Sequence, residues 1–207
     1  MRLKTIKMNR LILAAAGILL VGTGIAFNAA AALGNDPIGI VYDGIRHTAG
    51  LSPQQLGTAS NLVNIILVIV VFLLGRRYVN IGTFIYIVPY GTIVNLGGKL
   101  YDLFFHVQTL PIQILGAGIG CLLLYIGVAM FITADIGLDP FTGLVMVIRD
   151  KVGREYRTVK VCFDAACIVL GFVLGGKLGV ITILTALSAG PLIQLFAAGV
   201  AKIMKTE

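Results

Sequence analysis

The chain of 207 residues predicts an all-α fold: a polytopic transmembrane bundle of six spans, arranged as two inverted three-helix repeats. Three observations carry this reading. The first is composition: AVILMFWYC residues make up 58% of the chain, charged residues 12%, and mean hydropathy is +0.99. Soluble domains reach only about 45–50% apolar with Gly counted, so the remaining residues cannot coat a surface facing water, and lipid must be the solvent. The second is the grouping of apolar residues into six runs, at 11–33, 56–75, 81–104, 112–134, 159–176 and 178–201. Each is near the roughly 20 residues that cross the hydrocarbon, and none alternates as a barrel strand would. The third is an internal repeat.

The first run follows Arg2, Lys4, Lys7 and Arg10 and precedes Asn28-Ala29-Ala30-Ala31-Ala32, an arrangement like that of a cleaved signal peptide. It reads as a retained span, because it is long enough to cross and has a counterpart later in the chain. Basic residues set the orientation. Arg2, Lys4, Lys7, Arg10, Arg76, Arg77, Arg149, Lys151, Arg154, Arg157, Lys160, Lys202 and Lys205 fall on one side of the spans; Arg46, Lys99 and Lys177 fall on the other. A bias of 13 against 3 places both termini in the cytoplasm, since cationic loops are retained there during insertion.

The repeat overlays Gly24-Ile25-Ala26-Phe27…Leu33-Gly34-Asn35-Asp36-Pro37 on Gly127-Val128-Ala129-Met130…Ile136-Gly137-Leu138-Asp139-Pro140 at an offset of 103. Leu74-Gly75 matches Leu174-Gly175 at 100, and Thr83, Gly91 and Leu96 match Thr182, Gly190 and Leu195 at 99. The units are 1–108 and 109–207. Three spans per unit is an odd number, so the second unit enters the membrane from the opposite side, an arrangement that commonly puts a substrate site near the midplane.

Each unit carries a short stretch after its first span, opened by Asp36-Pro37 or Asp139-Pro140. Asp is a good N-cap and Pro is favoured at the first helical position, so each stretch starts a helix of about 18–20 Å, too short to span. Such helix starts either cap and redirect the chain or also line a pathway, their positive ends facing it. A central polar cavity lined by residues near 34–40 and 135–143 is the expectation of the second alternative. Asp135 stands where the first half has Ala32, and breaks the symmetry. Asp164 lies inside the fifth run with Lys160 four residues before it, a structural ion pair or a coupling site; its counterpart is Asn64.

Other chemistry finds little footing. Cys121, Cys162 and Cys167 are odd in number and lack CxxC spacing, which speaks against disulfides or zinc. No metal ligand set, cofactor motif or catalytic constellation is present, so the chain reads as a non-enzyme with no cofactor and no metal. The net charge of +7 sits in short interhelical segments rather than on one soluble face, which argues against nucleic acid. Gly116-x-x-x-Gly120 and Gly171-x-x-x-Gly175 offer small faces that serve packing within the bundle or a homo-oligomer.

The repeated Gly-x-Ala…Leu-Gly-x-Asp-Pro, Leu174-Gly175-Gly176 and Thr182-x-x-x-x-Leu187-x-x-Gly190-Pro191 together resemble the YczE/YyaS/YitT type of bacterial integral membrane protein. Ile181 before Thr182 departs from the Gly-Thr pair at Gly82-Thr83. The resemblance implies the bacterial cytoplasmic membrane and no particular substrate. Inverted repeats with half-length helices suit a small secondary transporter for a small solute; a substrate-capture subunit of a larger importer and a non-transporting accessory protein are the alternatives.

Overall fold

A computed structural model describes residues 8–106 and 109–206, so Arg2, Lys4 and Lys7 lie outside the described residues, as does the side chain of Lys205. Eight α-helices follow in order: α1 Met8–Ala31, α2 Pro37–Thr48, α3 Leu56–Gly75, α4 Ile81–Phe104, α5 Leu110–Ala134, α6 Pro140–Val152, α7 Tyr156–Val173 and α8 Val180–Thr206. Short 3-10 turns, Pro53–Gln55 and Arg76–Tyr78, flank α3. No strand occurs among the described residues.

Helix lengths run 24, 12, 20 and 24 residues over α1–α4 and 25, 13, 18 and 27 over α5–α8. Five segments are long and apolar enough to cross a membrane: Met8–Ala31, Pro53–Tyr78, Ile81–Phe104, Leu110–Ala134 and Val180–Met204. The sixth expected span, α7, differs. Its 18 residues carry Arg157, Lys160 and Asp164, which lower its apolar character, although about 27 Å of helix still approaches the hydrocarbon thickness.

The bundle is built on α1 against α5. Lipid offers no hydrophobic drive to press helices together, so the contact depends on small residues that let backbones approach. A Cβ on Gly17 would stand 2.8 Å from the Gly127 carbonyl oxygen, and one on Gly24 would stand 2.6 Å from that of Gly120. Early residues of α1 therefore meet late residues of α5, and the two helices run antiparallel. Gly17 and Gly120, like Gly24 and Gly127, are equivalent at the offset of 103. Around this pair α4 lies on α1 and α8 on α5, while the shorter helices cross over, α2 onto α7 and α6 onto α3.

Candidate functional site

The two Asp-Pro turns are built alike. After α1 the chain takes a left-handed step at Ala32 (φ 58°) and another at Gly34 (φ 101°); after α5 it does so at Asp135 (φ 50°) and Gly137 (φ 158°). Asp36 then accepts from the Ile38 and Gly39 amides at 3.3 and 3.2 Å, and Asp139 accepts from Thr142 N at 3.0 Å. Both aspartates are N-caps with Pro at the next position, as expected from the spacing. Asn35 Nδ2 donates to the Ile25 carbonyl at 3.2 Å, six residues inside the end of α1. The first turn thus folds back by about 9 Å along α1 instead of sitting beyond its tip.

Each turn is clasped by the start of the last helix of the other unit. Ile181 N donates to Leu33 O at 3.1 Å, and the equivalent Gly82 N donates to Ile136 O at 3.2 Å. Thr182 Oγ1 accepts from Gly179 N at 3.3 Å; Thr83 Oγ1 accepts from Asn80 N at 3.4 Å and donates to Leu138 O at 2.8 Å. The Thr83 and Thr182 match seen in the sequence is therefore a match of structural role.

Both turns face one aromatic cluster. Tyr42 of α2 packs on Tyr90 of α4 (centroids 6.0 Å apart) and on Phe141 of α6 (5.7 Å). Tyr86 stacks on Tyr90 at 4.8 Å and 21°, and meets Phe131 of α5 edge-on at 5.2 Å. Asp36 and Asp139, one from each unit, both lie within electrostatic range of Tyr42 and Tyr86. The Tyr42 hydroxyl donates to Asn64 Oδ1 at 3.1 Å. The Tyr90 hydroxyl lies against those of Tyr86 and Tyr42, whereas Asn64 Nδ2 is buried without a hydrogen-bond partner, on a residue with no exposed surface. Such groups ordinarily find partners, because leaving one unpaired costs about 1–3 kcal/mol.

Asp164 and Lys160 of α7 pair with each other, and both lie within range of Asp36. The structure thus pairs Asp164 with Lys160 near Asp36, joins Asn64 to Tyr42, and has Asp139 capping α6, with Pro37 and Pro140 buried behind the caps. Asp135 stands apart. Its side chain is 87% exposed, its ion pair with Arg10 is 3.5 Å long, and its left-handed backbone explains a short polar residue there. The space between the turns is filled by Tyr42, Tyr86, Tyr90, Phe131 and Phe141, which belong to the main core, rather than forming the open cavity expected. Sequence reading missed the tyrosines; the available signal was Tyr86 and Tyr90 at i, i+4 in an apolar helix.

The far ends of the half-length helices carry charged latches. At the end of α2, Arg46 pairs with Asp43 at 2.8 Å and donates to Leu51 O at 2.9 Å, while Lys177 N donates to Asp43 at 2.9 Å; the Asp43 and Arg46 side chains are only 11% and 13% exposed. At the end of α6, Asp150 takes Arg149 at 2.7 Å together with Arg77 and Tyr78. Tyr78, Arg149 and Arg77 hold its carboxyl well below the usual range. This second latch borders a cavity of about 280 Å³ lined by Leu74, Gly75, Val147 and Lys151 among others. The α2 end is packed tightly and the α6 end is open.

Apolar helices around a buried polar and aromatic centre define an all-helical membrane protein. The chain belongs to the family of unknown function DUF6198, whose family model matches residues 8–198. It is similar to the uncharacterized protein YyaS of Bacillus subtilis, 25% identical over 180 residues that cover 87% of this chain and 88% of the relative. It is also similar to the uncharacterized membrane protein YczE of the same organism, 23% identical over 86% of this chain and 81% of the relative. An uncharacterized protein of Haemophilus influenzae is 35% identical over 78 residues, 38% of this chain and 36% of that one. No solved structure matches the chain. The YczE/YyaS resemblance read from the short motifs is borne out.

Proposed function

We propose that this protein is a small secondary transporter that moves a small solute between its two units by alternating access. In this reading α1, α3, α4, α5, α7 and α8 cross the bacterial cytoplasmic membrane, both termini are cytoplasmic, and residues 1–108 and 109–207 form an inverted pair. The antiparallel contact of α1 and α5 and the exchanged packing of α2 on α7 and α6 on α3 support the inversion.

The observation that carries the proposal is the packing of two half-length helices, one from each unit, on a buried tyrosine cluster beside an unpartnered amide. A purely structural core gains nothing from leaving Asn64 Nδ2 unsatisfied. Both latches are closed by ion pairs, the α2 latch buried and the α6 latch bordering a cavity, which supports unequal access at the two ends. A non-transporting accessory protein is the second reading, and the ring packing between the turns favours it.

The test uses protein with Cys121, Cys162 and Cys167 replaced by Ala, carrying one cysteine at Ile38, Thr142 or Gln54 and held in lipid vesicles. A small membrane-impermeant thiol reagent is expected to modify positions 38 and 142 from water, more slowly than the exposed position 54. Modification at 54 alone overturns transport and leaves the accessory reading.

A further inference from the structure

The chemistry of the buried centre selects among solutes. The positive ends of α2 and α6 are already occupied by the protein's own carboxylates: Asp36 takes the Ile38 and Gly39 amides, and Asp139 takes that of Thr142. An anion arriving there would meet two carboxylates where a helix start usually offers free N–H groups. Lys160 is the one cation identified within range of Asp36, and it is committed to Asp164. Neither Asp36 nor Asp139 has an ion-pair partner among the described residues. The local excess is therefore negative.

In the same core three tyrosine rings pack on one another, Tyr86 and Tyr90 stacked and Tyr42 tilted against Tyr90 at 57°. Electron-rich ring faces attract an ammonium group by about 0.5–2 kcal/mol, more as water is excluded, and do not attract an anion. The orphaned amide of Asn64 adds a second requirement. Asn64 spends its oxygen on the Tyr42 hydroxyl, so its free Nδ2 can only donate, and needs an acceptor from the ligand. Pro89 lies inside α4 next to Tyr90 and removes one helical hydrogen bond there, which lets α4 bend and the rings part.

We propose that the centre binds a small organic cation that also carries a hydrogen-bond acceptor, its ammonium group among the Tyr42, Tyr86 and Tyr90 rings and its oxygen on Asn64. The proposal rests on the transport reading for the site's place, but binding alone can test it.

The chain has seven tyrosines, three of them in this cluster, and no tryptophan, so a change in intrinsic emission of the purified protein in lipid vesicles that is lost on Tyr90→Leu reports on this site. Four probes suffice: choline, tetramethylammonium, the neutral isostere 3,3-dimethylbutanol, and acetate. Choline is expected to give a saturable change, tetramethylammonium to bind roughly tenfold more weakly for want of the acceptor, and the neutral and anionic probes to give none. Asp36→Asn and Asp139→Asn keep good N-caps while removing charge, so each should weaken choline about tenfold and leave the unfolding temperature nearly unchanged. Asn64→Leu should abolish the preference for choline over tetramethylammonium. Equal response to 3,3-dimethylbutanol, a saturable response to acetate, or no response to either cation overturns the ligand class. Choline binding without choline uptake into proteoliposomes keeps the class and overturns transport; uptake of acetate does the reverse.

Discussion

Helices α1–α4 and α5–α8 share an order of long and short elements, but α3 and α4 meet differently from α7 and α8. In the first unit α3 and α4 are zipped: Gly57 N donates to Asn95 Oδ1 at 2.7 Å and Gly91 N donates to Asn61 Oδ1 at 2.9 Å. Gly57 and Gly91 approach so closely that neither has room for a side chain. In the second unit the equivalent positions hold Arg157, Val161, Gly190 and Gln194. The small residue and one amide of the zipper are lost, Gly190 faces open space, and α7 does not pack along α8. The buried share of the apolar window falls from 39% in α4 to 17% in α8. The helices of one pair are fastened to each other, whereas the members of the other pair pack on α2 and α5 instead.

The largest effect expected from this contrast comes from Gly57→Leu, which drives a side chain into the Gly91 backbone and should cost about 3 kcal/mol or more, against about 0.5 kcal/mol or less for Gly190→Leu. Unfolding in detergent followed by circular dichroism measures both, and equal losses would erase the contrast. Next is the ion pair of α7, whose side chains are 32% and 23% exposed. Lys160→Met alone should lower stability by about 1.5–3 kcal/mol by stranding Asp164, and the double change to Lys160→Met and Asp164→Leu should recover most of it. Harmless single changes would refute the pairing.

The clasps probe the opposite question, where the units are alike. Thr83→Val and Thr182→Val each remove hydroxyl bonds at equivalent places and should cost about 1 kcal/mol apiece, Thr83 slightly more because it also donates to Leu138 O. A large inequality would show that the clasps do different work. Smallest is Asp135→Gly: glycine suits a φ of 50°, and the exposed pair with Arg10 contributes little, so the unfolding temperature should hold or rise. A fall of several degrees would give Asp135 a role that its position does not suggest.

Much of the fold is legible in residue order. Apolar runs mark α1, α3, α4, α5 and α8 to within a few residues at most ends, and Asp-Pro marks the starts of α2 and α6, because hydropathy and capping act over one or two helical turns. Asp135 has a local account of the same kind: its backbone is left-handed, a conformation that favours Gly, Asn and Asp.

By itself, then, the sequence determined the solvent, the helices, the repeat and the capped turns, since each follows from neighbouring residues and the medium around them. The tertiary structure decided which carboxylates are buried, that Tyr42, Tyr86 and Tyr90 from α2 and α4 form one cluster with rings of α5 and α6, and that Asn61 and Asn95 fasten one pair of helices while Arg157 and Val161 leave the other apart. Those outcomes depend on which faces meet between segments distant in the chain. Hydropathy fixes that a helix is buried in lipid or protein, but side-chain shape and hydrogen bonding across the contact fix its neighbour.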